Sequence, residues 1–205
     1  MSQTLPTFYP IFDSSDWLAR LLPLGIKMVQ LRVKGRSEDN TREEILRGKQ
    51  LCAQHDCLLI VNDYWQIAIE EQCDYLHLGQ EDLDGADVPA IKKAGIRLGI
   101  STHSEEELER ALSFDPDYVA LGPIYPTILK EMPWQPQGLE KVGEWKKAIN
   151  GKPLIGIGGI SLDRARDVLA AGADVVSLVT DITLNPDPEQ RTREWVTLTE
   201  SFKST

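Results

Sequence analysis

GKPLIGIGGISLDRARDVLAAGADVVSLV, residues 151–179, contains one complete structural unit of this chain. It begins with the apolar run Pro153-Leu154-Ile155-Gly156-Ile157, passes through Gly158-Gly159 and continues as a helical segment over 163–171. It then returns through Ala171-Gly172 to a second apolar run at 175–179. A strand that is apolar throughout suits a parallel sheet buried on both faces. Glycine after a helix takes the left-handed conformation that ends it. The segment therefore predicts strand, helix and strand, the elementary parallel β/α unit.

The same alternation extends over the whole chain. Strands are predicted at 8–12, 28–32, 58–61, 75–78, 97–100, 118–121, 153–157 and 175–179. The clearest helices between them fall at 41–55, 104–112, 139–149 and 163–171, and a last helix runs over 188–202. Ser104 before Glu105, Glu106 and Glu107 supplies a capping hydroxyl and acids for a first turn. Ala94-Gly95 repeats the pattern of Ala171-Gly172. Eight such units predict a single α/β domain over 1–205, a (β/α)8 TIM barrel. A doubly wound open sheet is the alternative, but it rarely needs eight evenly spaced units.

Composition bounds the function. Hydrophobic residues make up 41% of the 205, which excludes a disordered chain. No apolar run could span a bilayer, and positions 1–6 lack the pattern of an export signal, so a cytoplasmic location and no membrane partner are expected. A net charge of −10 argues against a nucleic-acid partner, although a local Arg/Lys cluster can still hold a small anion. Cys52, Cys57 and Cys73 suit a reducing compartment. Cys52, His55 and Cys57 lie close in sequence, but nothing completes a four-ligand metal site, and Cys52 falls on an apolar helix face. Whether the chain forms a homo-oligomer is left open.

Chemistry collects after the strands, where barrels of this kind build their catalytic face. Gln30, Arg32 and Lys34 alternate and so share one side of an extended strand. Two converging cations need an anion; a solvated edge, or pairing with Asp63 or Asp82, is the simpler alternative. Asp63 and Asp82 follow adjacent strands and bring only oxygen ligands, which favours Mg2+ shared with a phosphate. Gly158-Gly159 lets phosphate oxygens approach backbone N–H groups, or merely marks a tight turn. His103 has the titration range of a general base, whereas His77 reads as a strand-end histidine held by hydrogen bonds. No convincing nucleophile-and-base arrangement is present, so no covalent intermediate on the protein is expected.

In order along the chain, the stretches 30–34, 61–65, 77–83, 99–104, 121–127 with Lys130, 136–140, 156–160 and 172–182 resemble thiamine-phosphate synthase, also called thiamine-phosphate pyrophosphorylase. The resemblance implies condensation of two small molecules. One is 4-amino-2-methyl-5-(diphosphooxymethyl)pyrimidine and the other a thiazole phosphate, giving thiamine phosphate and diphosphate. It further implies that Gln30, Arg32, Lys34 and Asn62 contact the pyrimidine diphosphate, and that Asp63 and Asp82 bind Mg2+. Ser101 and Lys130 would address the diphosphate, with Arg32, Lys34 and Lys130 assisting its departure. Thr127, Gly159, Val179 and Thr180 would hold the thiazole phosphate. Two positions depart from the family pattern: Leu129 replaces a hydroxyl residue before the lysine, and Thr180-Asp181 replaces Ser-Ala. A carboxylate at 181 is unfavourable beside a phosphate unless it points away. A thiazole tautomerase on a related barrel, with His103 as base, and a non-catalytic paralogue that binds a thiamine precursor are the alternatives.

Overall fold

The structure is a computed structural model, and it describes residues 4–127 and 134–202. Eight parallel strands close into a barrel in chain order, β1 pairing with both β2 and β8. The strands are β1 (Phe8–Phe12), β2 (Met28–Leu31), β3 (Leu58–Asn62), β4 (Tyr75–Leu78), β5 (Arg97–Thr102), β6 (Tyr118–Leu121), β7 (Leu154–Ile157) and β8 (Val175–Leu178). Helices α1 (Ser15–Leu21), α2 (Glu38–Gln54) and α3 (Trp65–Glu70) follow the first three strands. Next come α4 (Asp82–Gly85) and α5 (Val88–Lys93) after β4, α6 (Glu105–Ser113) after β5 and α7 (Gly138–Ala148) after β6. The chain continues with α8 (Ala165–Ala170) after β7, then α9 (Thr180–Thr183) and α10 (Pro188–Glu200) after β8. This is the closed barrel expected from the repeat, not an open sheet. No helix among the described residues is long and apolar enough to cross a membrane.

Alternation along each strand divides the core into two shells. Met28, Ile60, Tyr75, Tyr118, Ile155 and Val175 fill the barrel interior. Their sequence neighbours Val29, Leu59, Leu76, Val119, Leu154 and Val176 face outward into the layer shared with the helices. Gly99 makes room within: a Cβ there would lie 1.9 Å from the Tyr118 ring, so only glycine lets that ring lie across β5.

The predicted boundaries shift where side-chain bonding decides them. β5 runs on to Thr102, whose hydroxyl donates to the Ala120 carbonyl at 2.9 Å and is thus satisfied in the layer between barrel and helices. The helix expected over 163–171 begins instead as a 3-10 turn, Leu162–Arg164, and becomes α-helical only at Ala165. Both Arg164 and Ala165 donate backbone N–H groups to the Ser161 carbonyl there, a tight exit from the glycine pair. Ser104 caps α6 as expected, accepting from the Glu107 N–H at 3.3 Å. Cys52 is buried on the inner face of α2, as its apolar position implied.

Candidate active site

The C-terminal strand ends gather polar groups above the apolar interior. On β2, Gln30 continues the inward row of Met28 and is 2% exposed, and its amide donates to the Tyr9 hydroxyl at 2.7 Å. Arg32 lies just past the strand end, its backbone N–H bonded to the Phe12 carbonyl. Its half-buried guanidinium has no hydrogen-bond or ion-pair partner among the described residues. Lys34 reaches from the next turn to the Asp63 carboxylate. Of the alternatives weighed for these cations, the internal salt bridge with Asp63 is thus formed by Lys34.

On β3, Asn62 follows Ile60 inward and is buried beside His77, its register partner on β4. Asp63 then turns the chain sharply with a left-handed φ of 68°, its N–H bonded to the His77 carbonyl at 3.0 Å. Aspartate tolerates that conformation better than most residues, because its short side chain bonds locally. The turn carries its carboxylate toward Asp82, the first residue of α4. Burial, and then the neighbouring Asp63 charge and hydrogen bond, raise the Asp82 carboxyl above its ordinary value, while Lys34 opposes the rise. Two carboxylates brought this close suit a divalent cation. Among the described residues no third His, Cys, Asp or Glu joins these two carboxylates. Mg2+ commonly accepts that number while sharing a phosphate and water.

His77 stands behind this pair. Its Nδ1 lies 2.9 Å from the Tyr118 hydroxyl and its Nε2 lies 2.8 Å from the Ser101 hydroxyl, as expected of a histidine held by hydrogen bonds. Burial lowers its pKa to about 4; Asp63 pulls upward and Arg32 downward. Ser101, half-buried on β5, opens to the mouth. His103 is otherwise engaged: Nδ1 contacts Glu107 Oε2 at 2.7 Å, and the ring stacks on Trp134 with centroids 5.5 Å apart. Gln80 also does structural work, donating to the Ser101 carbonyl at 2.8 Å.

Across the mouth, the loops after β6 and β7 dock backbone to backbone. Ile124 and Tyr125 donate to the carbonyls of Ile157 and Gly158 at 2.9 and 3.0 Å. A Cβ on Gly158 would meet Pro123 Cα at 2.6 Å, and one on Gly159 would meet the Pro126 carbonyl at 2.4 Å. Both glycines also have positive φ, 97° and 63°. The pair is thus required for loop docking, a reason that neither the phosphate nor the tight-turn reading had supplied. Arg164 completes the joint, donating to the Gly159 carbonyl at 2.7 Å while stacking over the Tyr125 ring. Thr127 ends the first described segment; Leu129 and Lys130 lie outside the described residues. Val179 and Thr180 lead from β8 into α9, whose first N–H groups have no partner inside the helix. Asp181 points away from them: the Trp195 indole donates to its carboxylate at 2.7 Å, and Arg191 lies 3.6 Å away. The family's small residue is thus replaced by a carboxylate directed into the α10 contact.

Tyr9 and Tyr118, which join Gln30 to His77, were not foreseen from sequence. The available signal was Gly99, since a glycine inside a strand marks a close approach.

This assembly has close relatives. Residues 9–182 match the family model described as thiamine monophosphate synthase. A thiamine-phosphate synthase of Rhizobium etli is 57% identical over 200 residues, covering 98% of either chain. One of Pectobacterium atrosepticum is 46% identical over 185 residues, covering 90% of this chain and 87% of its own. Among solved structures, thiamine phosphate pyrophosphorylase from Pyrococcus furiosus superposes with a TM-score of 0.85 at 26% identity, covering 96% of either chain. These names favour neither a tautomerase nor a non-catalytic paralogue. With motif order, barrel topology and near-complete coverage in agreement, the chain belongs to the thiamine monophosphate synthase family.

Proposed function

We propose that this chain joins 4-amino-2-methyl-5-(diphosphooxymethyl)pyrimidine to a thiazole phosphate, releasing diphosphate and forming thiamine phosphate. The observation that carries the reading is the facing of Asp63 and Asp82 by Lys34, with Arg32, which has no side-chain partner among the described residues, just past the end of β2. That constellation suits a diphosphate and its metal, and family membership supports it.

The reaction breaks the bond between the pyrimidine methylene carbon and the diphosphate oxygen. The leaving oxygen takes the electron pair, and the electron-rich aminopyrimidine stabilises the cation left behind. The thiazole nitrogen then attacks that carbon. Arg32 and Lys34 stabilise charge growing on the departing diphosphate, and the family resemblance gives Lys130 the same task. Asp63 and Asp82 would hold Mg2+, which when bound would supply further positive charge to the leaving group. Gln30, Asn62 and Ser101 orient the pyrimidine diphosphate. Thr127, Gly159, Val179 and Thr180 hold the thiazole phosphate, where Asp181, turned toward Trp195, leaves room for its charge. No protein nucleophile is needed.

The test is diphosphate release measured with both substrates, with magnesium and with chelator. Release that requires both substrates and magnesium is expected. Isomerisation of a thiazole phosphate alone would mark a tautomerase, and binding without turnover a non-catalytic protein; either result overturns the reading.

A further inference from the structure

A line of hydrogen bonds crosses the barrel beneath the mouth. Gln30 Nε2 donates to the Tyr9 hydroxyl at 2.7 Å, and the Tyr9 and Tyr118 hydroxyls are 3.1 Å apart. The Tyr118 hydroxyl lies 2.9 Å from His77 Nδ1, and His77 Nε2 lies 2.8 Å from Ser101 Oγ. Gln30, Tyr9, Tyr118 and His77 are buried, while half-buried Ser101 ends the line at the mouth. The Tyr118 ring reaches both neighbours because it lies across Gly99, and it stacks on the His77 ring at 15°.

Proton counting gives this line a direction. Each phenol carries one proton, and so does a neutral imidazole. With the Gln30 amide N–H on Tyr9, the Tyr9 proton goes to Tyr118 and the Tyr118 proton goes to Nδ1. Nδ1 is then bare, and the imidazole proton sits on Nε2 and is donated to Ser101 Oγ. Ser101 has then accepted one bond, and its own proton is left for the mouth. Were the Gln30 carbonyl turned to Tyr9, every link would reverse. Ser101 would give its proton to His77 and face the mouth with lone pairs alone, which an anionic oxygen rejects.

We propose that Gln30, Tyr9, Tyr118 and His77 form a directional relay that holds His77 in its Nε2-protonated tautomer and makes Ser101 an obligate hydrogen-bond donor to the diphosphate ester. The proposal rests on reading the mouth as a diphosphate-ester site. Tyr9, Tyr118 and His77 act through Ser101 and are positioning residues.

The test combines 15N spectra of histidine-labelled, ligand-free protein with steady-state kinetics. The wild type is expected to show His77 protonated at Nε2 and bare at Nδ1. Tyr118→Phe keeps the ring over Gly99 but removes the donor to Nδ1. Loss of the single tautomer is expected, with kcat lower by about tenfold and an unaltered KM for the thiazole phosphate; groups that orient a contacting residue act on this scale. Tyr9→Phe cuts the link to Gln30 while leaving Tyr118 against His77, and it covers the case in which Tyr118→Phe does not fold. It should move tautomer and kcat in the same direction by less. A merely structural role for these phenols would leave the tautomer in place. A wild-type proton on Nδ1, or wild-type tautomer and kcat in a folded Phe variant, overturns the relay. The tautomer is read without substrate, so failure of the relay is distinguishable from failure of the proposed activity, which shows as absent diphosphate release by the wild type.

Discussion

Asp63 combines an unusual backbone with a charged role, and substitution can separate the two. Its φ of 68° costs most residues roughly 1–2 kcal/mol, whereas asparagine occupies that region nearly as readily as aspartate. Asp63→Asn is therefore expected to unfold like the wild type and yet lose magnesium-dependent diphosphate binding. Asp63→Ala should lose the binding and also roughly 1 kcal/mol of stability. Calorimetric titration with magnesium and diphosphate, alongside denaturant unfolding, checks both; unchanged magnesium dependence in Asp63→Asn would remove it from the ligand set. Residues of this kind were readable from sequence, because Asp63, Asp82, Gln30 and His77 are placed by the strand they follow and by alternation. The Tyr9–Tyr118 contact was not, since it joins residues 109 positions apart and no local spacing encodes which side chains meet across a barrel. The direction of Asp181 was equally hidden. Sequence set the carboxylate beside Thr180, and only packing of α10 turned it toward Trp195.

Between elements, two joints carry consequences. The first is the docking of the β6 loop on Gly158-Gly159. An alanine at 159 would drive its Cβ toward the Pro126 carbonyl, at 2.4 Å, from a left-handed backbone. Gly159→Ala should lower stability by roughly 1–3 kcal/mol. It should also raise the KM for the thiazole phosphate more than that for the pyrimidine diphosphate, which thermal unfolding and kinetics with each substrate varied will show. Equal effects on both KM values would mean that the loop serves the whole mouth instead. The second joint ties α2 to the start of α1, where Glu44 accepts from the Ser15 N–H at 2.6 Å and pairs with Arg36. Burial pushes its carboxyl up, but the Ser15 bonds and Arg36 outweigh this and hold it below the ordinary value. A depressed folded pKa means that the stabilisation is present above the unfolded pKa, near 4.3, and is lost as pH falls through the folded one. Glu44→Gln should thus be less stable than the wild type by a constant margin at neutral pH, a margin that closes in acid. Denaturant midpoints measured from pH 7 down to pH 3 test this; a margin that widened in acid would reverse the sign.

For the molecule as a whole, the eight strand runs were visible because parallel strands buried on both faces read as apolar blocks between helices. Register was less accessible, for it depends on how β1 meets β8 at Phe8 and Val176, at opposite ends of the chain. The extra turns α4 and α9 escaped notice because four residues are too few to show a period. One of them matters for observing the protein at work. Asp181, the second residue of α9, holds the Trp195 indole, which stacks on Phe8 with ring centroids 5.4 Å apart. An indole bonded to a carboxylate one residue from the proposed phosphate-binding Thr180 is a built-in fluorophore for that half of the site. The thiazole phosphate should shift its emission, and the shift should vanish in Trp195→Phe. Emission from Trp17, Trp65, Trp134 and Trp145 is common to the wild type and Trp195→Phe, so the difference between the two isolates this indole, and the order in which the two substrates arrive becomes a measurement by stopped-flow fluorescence, with no label attached.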